Sequence, residues 1–279
     1  MKTDQILRAA TARLKAAGVE TPARDARRLM AHALEMSPDR LTVGLPDKLT
    51  PSVEKRFDAA IKAREARQPV SQIVGWREFY GRRFKVTPDV LDPRPDTETL
   101  IDWVLRYPFQ NILDLGTGSG CILLTLLVER PDVRGVGIDV SEAAIDVALA
   151  NAADLGVSKR AFFDTSDWLE DVSGRFDIIT ANPPYISAGE MTDLAPEVRD
   201  HEPHLALCPG GDGLDAYRAI AKRVARHLTP AGPLFVEIGA TQAAAVTEIF
   251  RNADLEVAPP RQDLNGHDRV IMARLRYRA

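Results

Sequence analysis

Two short segments of the sequence combine residue types that could bind and activate a small molecule. The first is the glycine-rich stretch GTGSG at 116–120, which follows the apolar run NILDL and leads directly into another apolar run. Glycines in a strand–turn–helix connection let a ligand approach the backbone, because no Cβ stands in the way. Asp139 ends the next apolar run, nineteen residues beyond Gly120. A carboxylate there can accept both hydroxyls of a ribose, so the pair predicts a site for a nucleoside-containing cofactor.

The spacing of these glycines narrows the kind of cofactor. A dinucleotide fingerprint has glycine at its first, third and sixth positions, whereas the sixth position here is Cys121. The pattern is instead GxGxG, with Asp114 just ahead of it in DLGTGSG. This form resembles the cofactor loop of class I S-adenosylmethionine-dependent methyltransferases, whose ligand carries no pyrophosphate. A glycine turn that serves only a tight strand–helix connection is the alternative, and the matching Asp139 argues against it.

The second segment is NPPY at 182–185, which follows the strand-like run at 176–181. It is expected at the same edge of a parallel sheet as the glycine-rich stretch. An amide or aromatic-amine nitrogen is a poor nucleophile because its lone pair is delocalised, so an enzyme that methylates it needs acceptors for both N–H groups. Asn182 offers a side-chain carbonyl, Pro183 offers a backbone carbonyl, and Tyr185 can pack against a flat group. The segment predicts methyl transfer to such a nitrogen, and a simple strand end is the alternative.

The chain before these segments has a helical pattern. Residues 1–70 are predicted to form a small bundle of helices with short loops. Gly18 is placed to end the first helix, and Thr21-Pro22 begins the second with threonine as the expected N-cap. Ser37-Pro38 is predicted to start a short turn of helix, and Thr50-Pro51 a long helix that reaches about Arg67.

The rest of the chain changes first to a hairpin pattern and then to alternating strands and helices. Aromatic and β-branched residues alternate in 71–92, which predicts a β-hairpin linker. Residues 93–279 predict an α/β domain with a mostly parallel, seven-stranded sheet and an antiparallel strand near one edge. The predicted strands are 111–115, 135–139, 161–164, 176–181, 233–238, 256–259 and 269–275. The main predicted helices are 99–106, 119–130, 141–155 and 212–228.

Charge is unevenly distributed along the chain. The formal net charge is −4, but residues 1–75 sum to +5, residues 76–110 to zero and residues 111–279 to −9. A basic N-terminal part beside an acidic remainder suggests two units with different partners, and a simple drift in surface charge is the alternative. The mild overall acidity argues against a protein that mainly coats nucleic acid.

Global features favour a cytoplasmic protein. The hydrophobic share of 45% and the charged share of 27% are those of an ordinary globular chain. Two cysteines, Cys121 and Cys208, imply no disulfide framework. The first residues lack the apolar core of a signal peptide, and the most apolar stretch, near 121–128, is too short to span a bilayer. We expect a cytoplasmic monomer with no membrane association.

Several further segments make the resemblance specific. The segment LDPRPDTE at 91–98 resembles the PRPETE signature that precedes the methyltransferase domain of the release factor glutamine methyltransferases. Other segments follow in that family's order: 137–157, 166–168, 182–186, 197–207, 210–218, 235–242 and 263–269. The likeness covers nearly the whole chain, so it implies a Rossmann-like class I methyltransferase domain, a helical N-terminal domain and a β-hairpin linker. The departures are Asp92 for isoleucine, Asp96 for glutamate and His201 for tyrosine.

The resemblance also implies an activity and a set of site residues. The implied reaction is methylation at N5 of the glutamine in the Gly-Gly-Gln motif of class 1 peptide chain release factors. S-adenosylmethionine is the implied donor and S-adenosylhomocysteine the product, with no metal. The implied cofactor-binding residues are Gly116, Thr117, Gly118, Ser119, Gly120, Asp139, Trp168 and Asn182. The implied substrate-binding residues are Asn182, Pro183, Pro184 and Tyr185, of which Asn182, Pro183 and Tyr185 are the catalytic candidates. Asp139 would hold the ribose hydroxyls, Trp168 would lie near the adenine, and residues 1–70 would dock the protein substrate.

The sequence leaves two alternative roles open for several polar residues. Arg94, Thr97 and Glu98 shape either the cofactor side of the site or the packing between domains. Glu237, at the end of a predicted strand, either orients the substrate or supports the sheet. His201 and His204 suggest a metal pair, but no third ligand stands at a suitable spacing, so ordinary polar or capping histidines are favoured.

Two other functional classes are weaker alternatives. An adenine-N6 DNA or RNA methyltransferase shares the NPPY segment, but an enzyme acting on duplex DNA flips its base and needs a basic cleft. Residues 111–279 are acidic and contain no insertion large enough for a target-reading domain. A non-catalytic interaction protein that has kept a cofactor fold is the other alternative, and the intact glycine-rich stretch and NPPY segment argue against it.

Overall fold

The chain divides into two compact units. A computed structural model describes residues 2–37, 40 and 44–276. The first unit, here called the helical unit, comprises residues 1–76 and 194–201. The second, the α/β unit, comprises residues 77–193 and 202–279. The short segment 194–201, which lies far along the chain, thus belongs to the N-terminal unit, and no pattern in the sequence indicated this.

The helical unit contains five α-helices within the residues that the structure describes. They are α1 (Thr3–Ala16), α2 (Pro22–Ala33), α3 (Pro51–Glu65), α4 (Val70–Val74) and, from the later segment, α8 (Pro196–Arg199). Gly18, with φ of +74°, follows α1 in the left-handed conformation that glycine adopts without strain. Thr50 caps α3, since its side chain accepts the N–H of Val53 at 3.4 Å. The core of the unit includes Leu14, Leu29, Met30, Phe57 and Ile61.

Three local predictions for these helices need correction or completion. Thr21 precedes α2, but its hydroxyl lies 3.1 Å from Asp25 Oδ1 and makes no cap to the backbone. Helix α3 ends at Glu65, because Arg67 turns the chain with φ of +68°. The turn predicted from Ser37-Pro38 falls partly outside the described residues, since Pro38 is not among them.

An ion-pair network lies inside the helical unit. Arg64 is buried and binds Asp25 at 2.8 Å and Glu197 of α8 at 2.9 Å. Arg67 binds Glu197 at 2.6 Å. Although burial alone raises the pKa of Glu197, the hydrogen bonds from the two guanidinium groups lower it to about 2. Breaking one partner of such a buried set leaves an uncompensated charge, so these residues hold the segment 194–201 in this unit.

The predicted hairpin is present but shorter than expected. It consists of β1 (Trp76–Phe79) and β2 (Arg82–Lys85), while residues 70–74 form α4. Gly75, with φ of +83°, ends that helix and starts the hairpin. Phe79 and Phe84 are buried and pack edge to face, with ring centroids 5.9 Å apart, in a core of the α/β unit. The hairpin is therefore anchored by its aromatic side chains as part of that unit.

The α/β unit is built on one twisted sheet. Its strands are β3 (Asn111–Leu115), β4 (Arg134–Asp139), β5 (Ala161–Thr165), β6 (Ile178–Ala181), β7 (Pro233–Glu237), β8 (Leu255–Val257), β9 (Arg261–Gln262) and β10 (Asp268–Leu275). The spatial order is β5-β4-β3-β6-β7-β10-β8, with β9 paired to β10. The first five strands of this order are parallel and β10 is antiparallel to its neighbours. The two-residue strand β9 is an eighth strand that the sequence did not indicate.

Helices cover both faces of the sheet. Within the described residues they are α5 (Glu98–Val104), α6 (Cys121–Glu129), α7 (Glu142–Asp154), α9 (His204–Leu207), α10 (Asp215–Arg223) and α11 (Ala243–Asn252). Successive residues of β7 face opposite ways: Phe235 joins the core with α5 and α6, and Val236 the core with α10 and α11. Helix α6 begins only at Cys121, because the preceding glycines are left-handed. Strand β6 begins at Ile178, later than predicted, since Phe176 makes only an isolated bridge.

The strand order places a switch point beside β3. From β3 the chain continues through β4 to β5 on one side, and β6 then returns to the other side of β3. Ligands of open α/β sheets bind where the order reverses, outside the carboxyl ends of the strands. The glycine-rich stretch follows β3 and NPPY follows β6. The topology thus brings the two segments to one edge of the sheet.

Candidate functional site

A pocket of about 490 Å³ lies at this edge of the α/β unit. The site residues implied by the resemblance that line it are Gly116, Thr117, Gly118, Ser119, Asp139, Trp168, Asn182 and Pro184, and Arg94, Thr97 and Cys121 line it as well. Three others, Gly120, Pro183 and Tyr185, are not among its lining residues. A Cβ at Gly120 would lie 2.8 Å from Leu124 Cδ1, so this glycine permits close packing of the loop on α6.

Asp139 holds the glycine-rich stretch in shape. Its Oδ2 accepts the N–H of Gly118 at 2.9 Å, and its Oδ1 accepts the N–H of Ser141 at 3.0 Å. Gly116 and Gly118 have φ of +64° and +53°, and a Cβ on Gly118 would meet open space. Each carboxylate oxygen has a further lone pair for a ligand hydroxyl. Asp139 can therefore both fix the loop and bind the molecule in the pocket.

Asp114 holds the same loop through buried hydrogen bonds. It is buried, and accepts hydrogen bonds from the hydroxyls of Thr117 and Thr180, each at 2.7 Å. Burial raises the pKa of Asp114 to about 6, against the opposing effect of these two bonds. Thr180 lies on β6 and Thr117 in the loop after β3, so Asp114 ties the ends of the two strands together.

Asn151 is a residue that the sequence analysis missed. It lies on α7 and is buried, and its Oδ1 accepts the N–H of Lys85 at 2.7 Å. Its Nδ2 donates to the carbonyl of Ser119 at 2.8 Å and to that of Lys85 at 3.1 Å. Asn151 thus joins the hairpin to the glycine-rich stretch. An asparagine among the alanines of an apolar helix was the only signal in the sequence.

Trp168 faces the start of the glycine-rich stretch. A Cβ on Gly116 would lie 3.7 Å from Trp168 Cζ3, within van der Waals contact of the indole. Trp168 itself has φ of +51°, an uncommon conformation for a large residue. The turn is held by Ser166, whose Oγ lies 3.3 Å from the Trp168 carbonyl and accepts the N–H of Asp171 at 3.2 Å. The indole is thereby held at the pocket wall.

Asn182 and Tyr185 are held by residues from distant parts of the chain. Asn182 Nδ2 donates to Thr97 Oγ1 at 3.2 Å, which leaves the Asn182 carbonyl as its other polar group. Gln242 Nε2 donates to the Tyr185 carbonyl at 2.9 Å. Gly213 approaches the same carbonyl so closely that a Cβ there would lie 2.5 Å from it. Burial raises the pKa of Tyr185 to about 12, so its phenol stays protonated at neutral pH.

Two charged residues, Arg94 and Glu202, form an ion pair beside the pocket. Arg94 lines the pocket, and its Nη2 donates to both oxygens of Glu202, at 2.6 and 2.7 Å. Burial raises the pKa of Glu202 to about 7, against the opposing charge of Arg94. Glu98 has a different place: its Oε1 accepts the N–H of Tyr80 at 2.9 Å and so braces the hairpin. Among the three signature residues, Arg94 and Thr97 face the pocket.

The two histidines considered as metal ligands lie in different units. His201 Nε2 lies 2.9 Å from the carbonyl of Ala66 in the helical unit, and His204 begins α9 of the α/β unit. Over the described ranges, no group of three or more histidine, cysteine, aspartate or glutamate residues could hold a metal ion. Cys121 lines the pocket, and burial raises its pKa to about 12, so the thiol is protonated. Among helices within the described part of the chain, none is long and apolar enough to cross a membrane.

Comparison with known proteins gives consistent matches. A family model described as the PrmC N-terminal domain matches residues 5–75, and one described as the methyltransferase small domain matches residues 94–211. The chain is 57% identical to a release factor glutamine methyltransferase of Cereibacter sphaeroides, over 99% of both chains. It is 46% identical to a protein of the same description from Rhodospirillum rubrum, over 95% of this chain and 82% of that one.

A solved structure agrees in fold. A methyltransferase from Pyrococcus furiosus is similar with a TM-score of 0.55 and 15% identity, over 77% of this chain and 96% of that one. At this identity the likeness shows the fold alone. The expected Rossmann-like class I methyltransferase fold is confirmed, with a mostly parallel sheet and helices on both faces.

Proposed function

Because the chain belongs to the release factor glutamine methyltransferase family, we propose that it methylates N5 of the glutamine in the Gly-Gly-Gln motif of class 1 peptide chain release factors. The observation that carries the proposal is the NPPY segment, which follows β6 beside a pocket lined by the glycine-rich stretch. Identity of 57% to a named relative over 99% of the chain supports the same reaction.

The pocket suits S-adenosylmethionine by its volume and by its donor set. Its volume is about 490 Å³, which lies in the range of pockets that bury most of a small ligand. Asp139 supplies carboxylate lone pairs for ribose hydroxyls, and Trp168 supplies a flat apolar face for a base. Gly116 and Gly118 expose the backbone, and Ser119 Oγ is buried without a hydrogen-bond partner among the described residues. When bound, S-adenosylmethionine supplies an electrophilic methyl group on a sulfonium.

The NPPY segment would orient the substrate amide. The carbonyl of Asn182 and the backbone carbonyl of Pro183 accept the two N–H groups of the glutamine, which turns the N5 lone pair toward the methyl carbon. Transfer forms a bond between N5 and that carbon, the C–S bonding pair returns to sulfur in the product S-adenosylhomocysteine, and N5 then loses one proton to water. No strong base is required, because the proton leaves after N5 has become cationic. The ring of Tyr185 packs against the flat amide.

We further propose that the helical unit docks the release factor. Residues 1–75 carry a formal charge of +5, and Arg24 and Arg27 on α2 are exposed. The enzyme acts as a cytoplasmic monomer in this proposal, without a metal and without direct contact to nucleic acid. The adenine-N6 alternative is not favoured, since residues 111–279 sum to −9 and the similar proteins are described as release factor glutamine methyltransferases.

Methyl transfer is tested with radiolabelled S-adenosylmethionine. A class 1 release factor should gain one methyl group, mass spectrometry should place it on the Gly-Gly-Gln glutamine, and a factor with that glutamine changed to alanine should gain none. Duplex DNA and RNA serve as competing acceptors in the same assay. Label in nucleic acid in place of the release factor would contradict the proposal.

Docking is tested by charge reversal on α2. Changing Arg24, Arg27 and Arg28 to glutamate should weaken binding of the release factor by about 3- to 30-fold at low salt, and the difference should shrink as salt rises. Reversal of Lys222, Arg226 and Arg251, which are exposed on the α/β unit, is the matched control. If titration calorimetry showed equal effects for the two sets, the positive charge of the helical unit would have no role in docking and would reflect only a drift in surface charge along the chain.

A further inference from the structure

Glu237 is a buried carboxyl beside the substrate half of the site. It ends β7, which runs parallel to β6 with Val236 opposite Ala181. The next residue of each strand is therefore Glu237 on β7 and Asn182 after β6. Glu237 is 1% exposed, and its Oε2 has no hydrogen-bond partner in the part of the chain that the structure describes. Burying such a group costs free energy, so its retention beside Asn182 calls for a role.

Thr97 connects this carboxyl to Asn182. Thr97 is 1% exposed, and its Oγ1 accepts the N–H of Asn182 Nδ2 at 3.2 Å. The Thr97 hydroxyl also favours the ionised form of the Glu237 carboxyl, since it lowers the pKa of that group. The three side chains thus form a relay that comes from three separate parts of the chain. None of the assigned cofactor contacts explains why a carboxyl, a hydroxyl and an amide are aligned in this order.

The donors and acceptors of the relay determine how the Asn182 amide is turned. A carboxylate only accepts, so an ionised Glu237 takes the single proton of the Thr97 hydroxyl. Thr97 then has only lone pairs to offer Asn182, and these select Nδ2 rather than Oδ1. We propose that Glu237 is a positioning residue, which acts through Thr97 to turn the carbonyl of Asn182 toward the substrate amide. This inference rests on the proposed function, in which that carbonyl accepts a substrate N–H.

Protonation of Glu237 would release this constraint. A protonated carboxyl can donate to Thr97, which frees the Thr97 proton to bind Asn182 Oδ1 and admits the opposite orientation. Burial is the largest cause that raises the pKa of Glu237, to about 7, and the Thr97 hydroxyl opposes this rise. The charged and titratable groups that influence or are influenced by Glu237 are Arg94, Asp96, Cys121, Tyr185, Tyr217 and Arg269. Ionised Glu237, and with it the oriented amide, should predominate above this pKa.

The test compares conservative variants at both ends of the relay. Glu237→Gln should lower kcat about 10-fold, and Thr97→Val about 10- to 100-fold, as expected when one hydrogen bond that orients a reacting group is lost. Thr97→Ser keeps the hydroxyl and should stay within about 3-fold of the wild type. Binding of S-adenosylhomocysteine, measured by calorimetry, should change little in Glu237→Gln, and thermal unfolding checks that each variant folds.

The pH profile separates this role from simple support of the sheet. Wild-type kcat should rise with pH through about 7 as Glu237 loses its proton, and in Glu237→Gln the rise should disappear. Glu202, whose pKa is also raised to about 7, provides the control: Glu202→Gln should keep the rise. A Glu237→Gln enzyme that keeps the wild-type profile, or a Thr97→Ser enzyme as impaired as Thr97→Val, would overturn the relay. Absence of release factor methylation by the wild type would instead overturn the proposed function.

Discussion

The two halves of the site are built in different ways. The proposed cofactor half consists of a glycine-rich backbone held by side chains, chiefly Asp114, Asp139 and Asn151, that lie on β3, β4 and α7. The proposed substrate half is held by side chains from distant parts of the chain, since Thr97 binds the Asn182 side chain and Gln242 binds the backbone carbonyl of Tyr185. A backbone held by several side chains keeps its conformation when one of them is changed. An amide side chain oriented by one hydrogen bond loses its orientation when that partner is removed. The halves should therefore respond differently to mutation.

The largest effect is expected in the substrate half. Asn182→Ala removes the carbonyl that accepts the substrate N–H, so kcat should fall by on the order of 10²- to 10³-fold, as for loss of a preorganised hydrogen-bond partner of the reacting group. The affinity for S-adenosylhomocysteine should remain within a few fold, because the glycine-rich stretch is intact. Single-turnover kinetics and calorimetry measure the two quantities.

The exposed Asn252 on α11 gives the control for that variant. Asn252→Ala should keep both kcat and cofactor affinity. If Asn182→Ala lost cofactor affinity as strongly as kcat, Asn182 would be mainly a cofactor ligand, and the division into two halves would be wrong at this residue.

The same difference explains what the sequence could predict. The cofactor half lies largely in one continuous segment, with DLGTGSG and Asp139 one strand apart, so strand–turn–helix periodicity located it. The strands were predicted from alternating apolar runs, and all seven predicted strands have counterparts in the sheet. Strand β9 was not predicted, because two residues are too few to show a periodic pattern.

Side-chain contacts across long stretches of sequence could not be predicted in this way. Thr97 meets Asn182 across 85 positions, and Gln242 meets Tyr185 across 57. No spacing rule connects such residues: the NPPY segment was singled out by its chemistry, whereas the segments that contain Thr97 and Gln242 were singled out only by the resemblance to a family. The placement of 194–201 in the helical unit was not predicted for the same reason, since it depends on the ion pairs of Glu197 with Arg64 and Arg67.

A smaller effect is expected when the cofactor half is changed. Asp139→Asn keeps the size of the side chain but places an NH₂ against one of the two backbone N–H groups, of Gly118 and Ser141, that the carboxylate now accepts. One unsatisfied donor costs about 1–2 kcal/mol, which corresponds to roughly 5- to 30-fold weaker binding of S-adenosylhomocysteine. Because Asn182 is untouched, kcat at saturating cofactor should fall by less than that factor.

Asp164 is the matched control for this substitution. It lies on β5 opposite Ile138, one position before the end of the neighbouring strand, and its side chain is exposed. Asp164→Asn should leave cofactor affinity unchanged, because this carboxylate supports no residue of the glycine-rich stretch. A larger loss of kcat than of affinity in Asp139→Asn would show that the two halves are mechanically coupled, since the loop would then control the orientation of groups on β6. The hydrogen bonds of Asp114 to both Thr117 and Thr180 are the route by which such coupling would pass.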